Sequence, residues 1–151
     1  MNKMKYSMIL SLMFFAFYAT ARSGNASAAG EVIVLNKADF LAKVFNYEKN
    51  ASEWKYEGDK PCIIDFYADW CGPCRRVAPI LKELAAEYKD DIVIYKVDVV
   101  KEQELASAFG INSLPTLLFV PMQGKPQASM GLQLKETLAK YIDEFLLEKK
   151  N

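Results

Sequence analysis

The side chains best equipped for chemistry in this chain are Cys71 and Cys74, separated by Gly72 and Pro73. They follow the apolar run Pro61 to Ala68 (PCIIDFYA) and precede apolar residues at helical spacing, so the pair falls at a strand–helix junction. Such a junction puts one thiol at the first helical turn and the other one turn inward. The unpaired N–H groups and partial positive charge of a helix N-terminus favour thiolate over thiol. Cys71 is therefore the expected nucleophile. Its attack on a disulfide gives a mixed disulfide, which Cys74 resolves by intramolecular exchange. Pro73 stands where a missing backbone donor is tolerated, and Gly72 offers no side chain to block an approaching substrate.

Two other readings of the pair compete. A C-x-x-C is half of many zinc sites, but a structural zinc takes four ligands, and the chain holds only one further cysteine, Cys62, and no histidine. No metal is expected. A purely structural disulfide is the other reading, although so small a loop constrains the unfolded chain little. Cys62 opens the apolar strand, and the extended residues from it to Trp70 cover roughly 26 Å at about 3.3 Å each, too far for easy pairing with Cys71 or Cys74. It reads as a small buried hydrophobe, with regulatory or intermolecular pairing as the alternative.

Asp65 is the most informative residue outside the pair. A carboxylate in the middle of a strand apolar on both faces is expensive to bury unless it is paired or its pKa is raised. Lys96, in the neighbouring apolar run IVIYKVD, is the candidate partner. A buried proton acceptor beneath the thiols would deprotonate Cys74 during resolution. The bland alternative is a locally exposed strand end.

Absence of histidine removes His-based triads from consideration. The chain of 151 residues carries 19 basic and 19 acidic side chains, without the basic stripe that phosphate contacts require, so no nucleic-acid partner is expected. The N-terminus has its own pattern: Lys3 and Lys5, then the apolar run Met8 to Ala21, then Ala26-Ser27-Ala28. That reads as a secretory signal peptide over 1–28 cleaved after Ala28, placing the mature protein in the periplasm or outside the cell. The alternative is an inner-membrane anchor facing the periplasm, disfavoured because the run is shorter than the roughly 20 residues that span a bilayer. Loss of Lys3, Lys5 and Arg22 would leave a mildly acidic mature chain. Residues 29–151 are long enough for one core without crosslinks, which leaves a cysteine pair available for chemistry.

The elements that must position these residues read as follows. Glu31 to Leu35 is a strand, and Asn36 with Asp39 resembles a capping box before a helix with Phe40, Leu41, Val44 and Phe45 on one face. Residues 46–60 are a largely polar excursion in which Trp54-Lys55-Tyr56 suggests a brief edge strand; its aromatics either pack the domain surface or meet a partner. Pro61 to Ala68 is a central strand covered on both faces, and the helix after Cys74 contains a kinking Pro79. Asp91 to Val99, Thr116 to Val120 and Gln127 to Met130 are further strands. Glu102 to Phe109 is a short helix stopped at Gly110, residues 123–125 are a turn, and Gly131 is a bulge or close-approach position. A last helix carries Leu134, Leu138, Tyr141, Ile142, Phe145 and Leu146. The order is βαβαβαββα, an α/β class.

FYADWCGPC, with Pro79, Leu114-Pro115-Thr116 and Gly131, resembles the thioredoxin family closely, and the similarity covers Val32 to Leu147. The resemblance implies a central mixed β-sheet flanked by helices, Cys71 attacking and Cys74 resolving, and no cofactor beyond the redox-active Cys71–Cys74 disulfide. It implies Asp65 with Lys96 as the buried acid–base pair, Trp70 as the aromatic beside the thiols, and Pro79 as a helix-kink proline. Pro115 looks like the family's cis-proline facing the dithiol, presenting the backbone of Leu114 to an extended substrate, with Gly131 keeping the groove open. Without the resemblance, Ser113-Leu114-Pro115 would read only as a turn. The 46–60 insertion is longer than in small cytosolic thioredoxins and is similar in style to exported relatives of Gram-negative bacteria such as the Bacteroides group. The implied activity is reduction of protein disulfides, in a monomer, with a membrane or periplasmic electron donor. Gly-Pro between the cysteines resembles the reducing kind of site; a disulfide oxidase or isomerase, or a non-catalytic binding module on the same fold, are the alternatives.

Overall fold

A computed structural model of the protein describes residues 29–149. The expected signal peptide and its cleavage point after Ala28 lie outside the described residues. The elements are β1 (Val32–Val34), α1 (Lys37–Lys43), β2 (Cys62–Tyr67), α2 (Gly72–Glu87), β3 (Val93–Asp98), α3 (Gln103–Ala108), β4 (Thr116–Val120), β5 (Gln127–Met130) and α4 (Lys135–Tyr141). Their order is the βαβαβαββα read from the sequence.

The strands form one five-stranded sheet in the order β1-β3-β2-β4-β5. β1 and β2 run parallel to β3, whereas β4 is antiparallel to both β2 and β5. The parallel β2–β3 pair needs a crossover, which α2 supplies, while a short turn through Gly124 suffices for the antiparallel β4–β5 hairpin. β2 is central, and its run of residues apolar at both parities is buried from Cys62 to Phe66 because helices cover both faces. On one face Ile63 packs with Val77, Leu81 and Leu84 of α2 and Leu138 of α4. On the other, Ile64 and Phe66 pack with Leu35, Phe40, Val44 and Leu105.

Local signals set most element ends. The Asn36 side chain accepts the Asp39 N–H at 2.8 Å and caps α1. The reciprocal half of a capping box does not form, because the Asp39 carboxylate pairs with Lys43 one turn on at 3.0 Å. Pro79 lies inside α2 and leaves the carbonyl four residues earlier without its helical donor. At the end of α3, Gly110 takes φ +61°, its N–H donates to Ser107 O, and the Ile111 N–H donates to Ala106 O. That pair of bonds is the left-handed glycine stop expected there.

Two expectations are corrected. Trp54-Lys55-Tyr56 is not a strand: no described strand lies between α1 and β2. Three alternating residues offer too few ladder bonds to outweigh burial of the aromatics. Trp54 instead packs on Phe45 in a tilted arrangement with ring centres 4.4 Å apart, the Glu57 N–H donates to Val44 O, and the Tyr56 hydroxyl donates to Lys60 O. The aromatics of the insertion thus pack inward. The last helix also changes character, since α4 passes into a π-helical stretch, Ile142–Leu146, that places Ile142 and Leu146 in the core.

Candidate active site

Cys71 is the N-cap of α2, and its sulfur accepts the Cys74 N–H at 3.2 Å. The two cysteines are joined in a disulfide with an S–S length of 2.18 Å and Cα atoms 5.3 Å apart. Both are buried, at 4% and 3% exposure, whereas the adjoining Trp70 is 72% exposed. Pro73 stands within the first two helical positions, where it removes a donor that no carbonyl would accept. An ideal Cβ built on Gly72 meets no atom within 4 Å, so this glycine leaves the rim of the site open. Arg75 folds back over the same rim and donates from Nη1 to Asp69 O at 3.1 Å.

Facing the disulfide is the chain between α3 and β4. Ile111, Asn112, Ser113 and Leu114 line a groove together with the segment Trp70 to Pro73 and with Val99. Leu114–Pro115 is a cis peptide bond. Two bonds hold this segment to the sheet: the Thr116 hydroxyl donates to Ser113 O at 2.7 Å, and the Gly131 N–H donates to Pro115 O at 2.8 Å. Gly131 was expected as a bulge or close-approach position, but no atom lies within 4 Å of an ideal Cβ there; φ +84° is what requires glycine. Sequence reasoning named Trp70, Gly72, Pro73 and Leu114, which line the groove, together with Pro115 and Gly131, which do not, and missed Val99, Ile111, Asn112 and Ser113. For Ile111, Asn112 and Ser113 the one local signal was position, directly after a glycine helix stop and before the Leu-Pro step; Val99, just past the end of β3, carried none.

Asp65 sits on β2 at 4% exposure, and its Oδ1 is buried without a hydrogen-bond partner. Burial pushes its carboxyl up to about 7, with the positive charge of Lys96 acting in the opposite sense. Asp65 and Lys96 are register partners across the parallel β2–β3 pair, which puts them on one face of the sheet. The direct pairing suggested by sequence does not form among the described ion pairs: the Lys96 ammonium lies over the Tyr67 ring, 5.4 Å from its centre, a position that keeps it better solvated. Ala68, three residues beyond Asp65, packs with Cys71 and Cys74.

Cys62 is fully buried at the opposite end of β2, and burial pushes its thiol up to about 12. It behaves as the buried hydrophobe expected from sequence. Among the described residues, no group of three or more His, Cys, Asp or Glu side chains is arranged to hold a metal ion.

Comparisons with known proteins agree with this geometry. The family described as Thioredoxin matches residues 31–144. A thioredoxin of Borreliella burgdorferi is 49% identical over 113 residues, which span 75% of this chain and 96% of that protein. One from Haemophilus influenzae is 35% identical across 77% of this chain and 98% of its own length. Among solved structures, a mutant thioredoxin from Halobacterium salinarum superposes with a TM-score of 0.63 at 29% identity, covering 82% of this chain and 96% of that one.

Proposed function

This chain belongs to the thioredoxin family and is a protein-disulfide reductase, and we propose that Cys71 is its attacking thiol, Cys74 its resolving thiol and Asp65 the proton acceptor between them. In the reduced protein the first-turn N–H groups of α2 and its positive end favour the Cys71 thiolate. That thiolate attacks one sulfur of a substrate disulfide; a Cys71–substrate bond forms, and the departing sulfur takes a proton. Cys74 then loses its proton to Asp65 and attacks the Cys71 sulfur. The second substrate sulfur leaves as a thiol, so two electrons have moved and the Cys71–Cys74 bond remains. Lys96, on the same sheet face as Asp65, supports the carboxylate that forms when Asp65 gives up a proton. The groove between Trp70 and Leu114 receives an extended substrate backbone, with the carbonyl and N–H of Leu114 as sequence-independent partners.

The observation that carries this reading is the disulfide at the helix start with its groove alongside. The reduction potential of the protein against a glutathione buffer tests it. A value near the −270 mV characteristic of thioredoxins is expected, and one above about −180 mV would identify an oxidase or isomerase instead.

We further propose that the protein works outside the cytosol. The support is the basic, apolar and small-residue succession of 1–28. Reducing equivalents then come from a membrane or periplasmic donor, and the protein acts as a monomer on protein disulfides. Intact mass of the protein recovered from the producing cells is expected to correspond to a chain beginning at Ala29. A mass that includes residues 1–28 would refute cleavage.

A further inference from the structure

The insertion at 46–60 is tied to the groove by two routes, both passing through α3. At the start of α3, the Lys37 ammonium bridges Glu48 of the insertion and Glu104 of the helix at 2.7 and 2.6 Å, while the Lys37 N–H donates to the Glu102 carboxylate at 2.9 Å. At its end, the Tyr47 ring meets Phe109 edge-on with centres 6.0 Å apart. Phe109 is also held by Phe40 at 5.0 Å and by Phe66 of β2 at 6.1 Å. The residue after Phe109 is Gly110, whose stop bonds fix Ile111 to the last turn of α3. Ile111 begins the groove wall that runs to Leu114. A shift of Phe109 is therefore passed along two residues of bonded backbone to the surface facing Cys71.

We propose that the insertion is a brace for this wall and that Tyr47 is a positioning residue for protein substrates. Its ring does the positioning: Tyr47 Oη is buried with no hydrogen-bond partner among the described residues, so the hydroxyl adds nothing to the contact. The inference rests on the reductase reading. A macromolecular disulfide must lie in the groove and use the Leu114 backbone, so its rate depends on where the wall stands. A small aromatic disulfide reacts at the Cys71 sulfur without spanning the groove, so its rate does not. Misplacement of a positioning element by an ångström costs up to about a hundredfold in rate, and a packed wall with one support removed is expected to move less than that.

The test compares two substrates in the whole protein: reduction of insulin driven by dithiothreitol, and reaction of the reduced protein with 5,5′-dithiobis(2-nitrobenzoate). Tyr47→Ala is expected to lower kcat/KM for insulin about tenfold, mainly through KM, while the small disulfide stays within about twofold. Tyr47→Phe, which keeps the ring, is expected to match the parent on both. Lys37→Met removes the other support without opening the aromatic cluster and is expected to show the same selective loss, so it carries the comparison if Tyr47→Ala does not fold. Equal loss on both substrates, or no loss on insulin, overturns the brace. A parent protein that reduces neither substrate overturns the reductase reading itself and the brace with it.

Discussion

Cys71→Ser is expected to lose disulfide reduction by about three orders of magnitude or more, because a serine hydroxyl at the head of α2 is not ionised near neutral pH and its oxygen does not exchange with sulfur. Cys74→Ser is expected to differ in kind. Cys71 still attacks, but with no second sulfur on the same helical turn the mixed disulfide has no internal exit. Substrates should therefore remain covalently attached to Cys71 and be visible by intact mass or on a non-reducing gel, and released by added dithiothreitol. The asymmetry follows from geometry: Cys71 caps the helix and lines the groove, whereas Cys74, one turn inward, is not among the lining residues. If Cys74→Ser trapped nothing while Cys71→Ser did, the roles would be reversed. If replacing both by serine left the protein's biological effect intact, the fold would be acting as a binding module and not as an enzyme.

Asp65→Asn is expected to change stability and rate in opposite directions. Asp65 is buried at 4% exposure, and its carboxyl is raised from 3.8 in the unfolded chain to about 7 in the folded one. Below pH 4 both states hold the proton and the residue has no pH-dependent effect. Between about 4 and 7 the folded state binds more protons than the unfolded state, so stability falls as pH rises. Above the folded value both states are ionised and the loss is complete, amounting to as much as about 4 kcal/mol. Asparagine is neutral throughout, so the variant's stability relative to the parent should improve by up to about that amount from pH 4 to pH 8. Any constant cost of burying the amide cancels in this comparison. Denaturant unfolding at the two pH values measures it, and a difference independent of pH would show that folding does not raise the Asp65 carboxyl. The price is catalytic: without the acceptor, resolution by Cys74 should slow about a hundredfold, and the rise of the rate near pH 7 should vanish.

What was legible in the sequence was what a single turn or strand decides. Asn36 as a cap, Gly110 as a stop and the two-sided burial of β2 all follow from signals within a few residues. Trp54-Lys55-Tyr56 failed because alternation over three residues does not say whether a neighbouring strand exists, and aromatic burial against Phe45 won. The close of α4 as a π-helical stretch was equally illegible, since it depends on which side chains the sheet demands at Ile142 and Leu146. Lys96 was named as the candidate partner of Asp65 only because it lies in a neighbouring apolar run; strand register does set the two side by side, yet no pattern in the chain shows that its long side chain leaves for the Tyr67 ring.

By itself, the sequence determined that two thiols would meet at the head of a helix, because a spacing of three residues and one N-terminus are local quantities. Only the tertiary structure decided what faces them. Ile111 and Leu114 stand across from Cys71 because the antiparallel pairing of β4 with β2 and the stop after α3 bring together segments some forty residues apart. The depth at which Asp65 lies was decided in the same way, by helices packed on both faces of one sheet, since the free energy of a buried charge depends on everything around it and not on its neighbours in the chain.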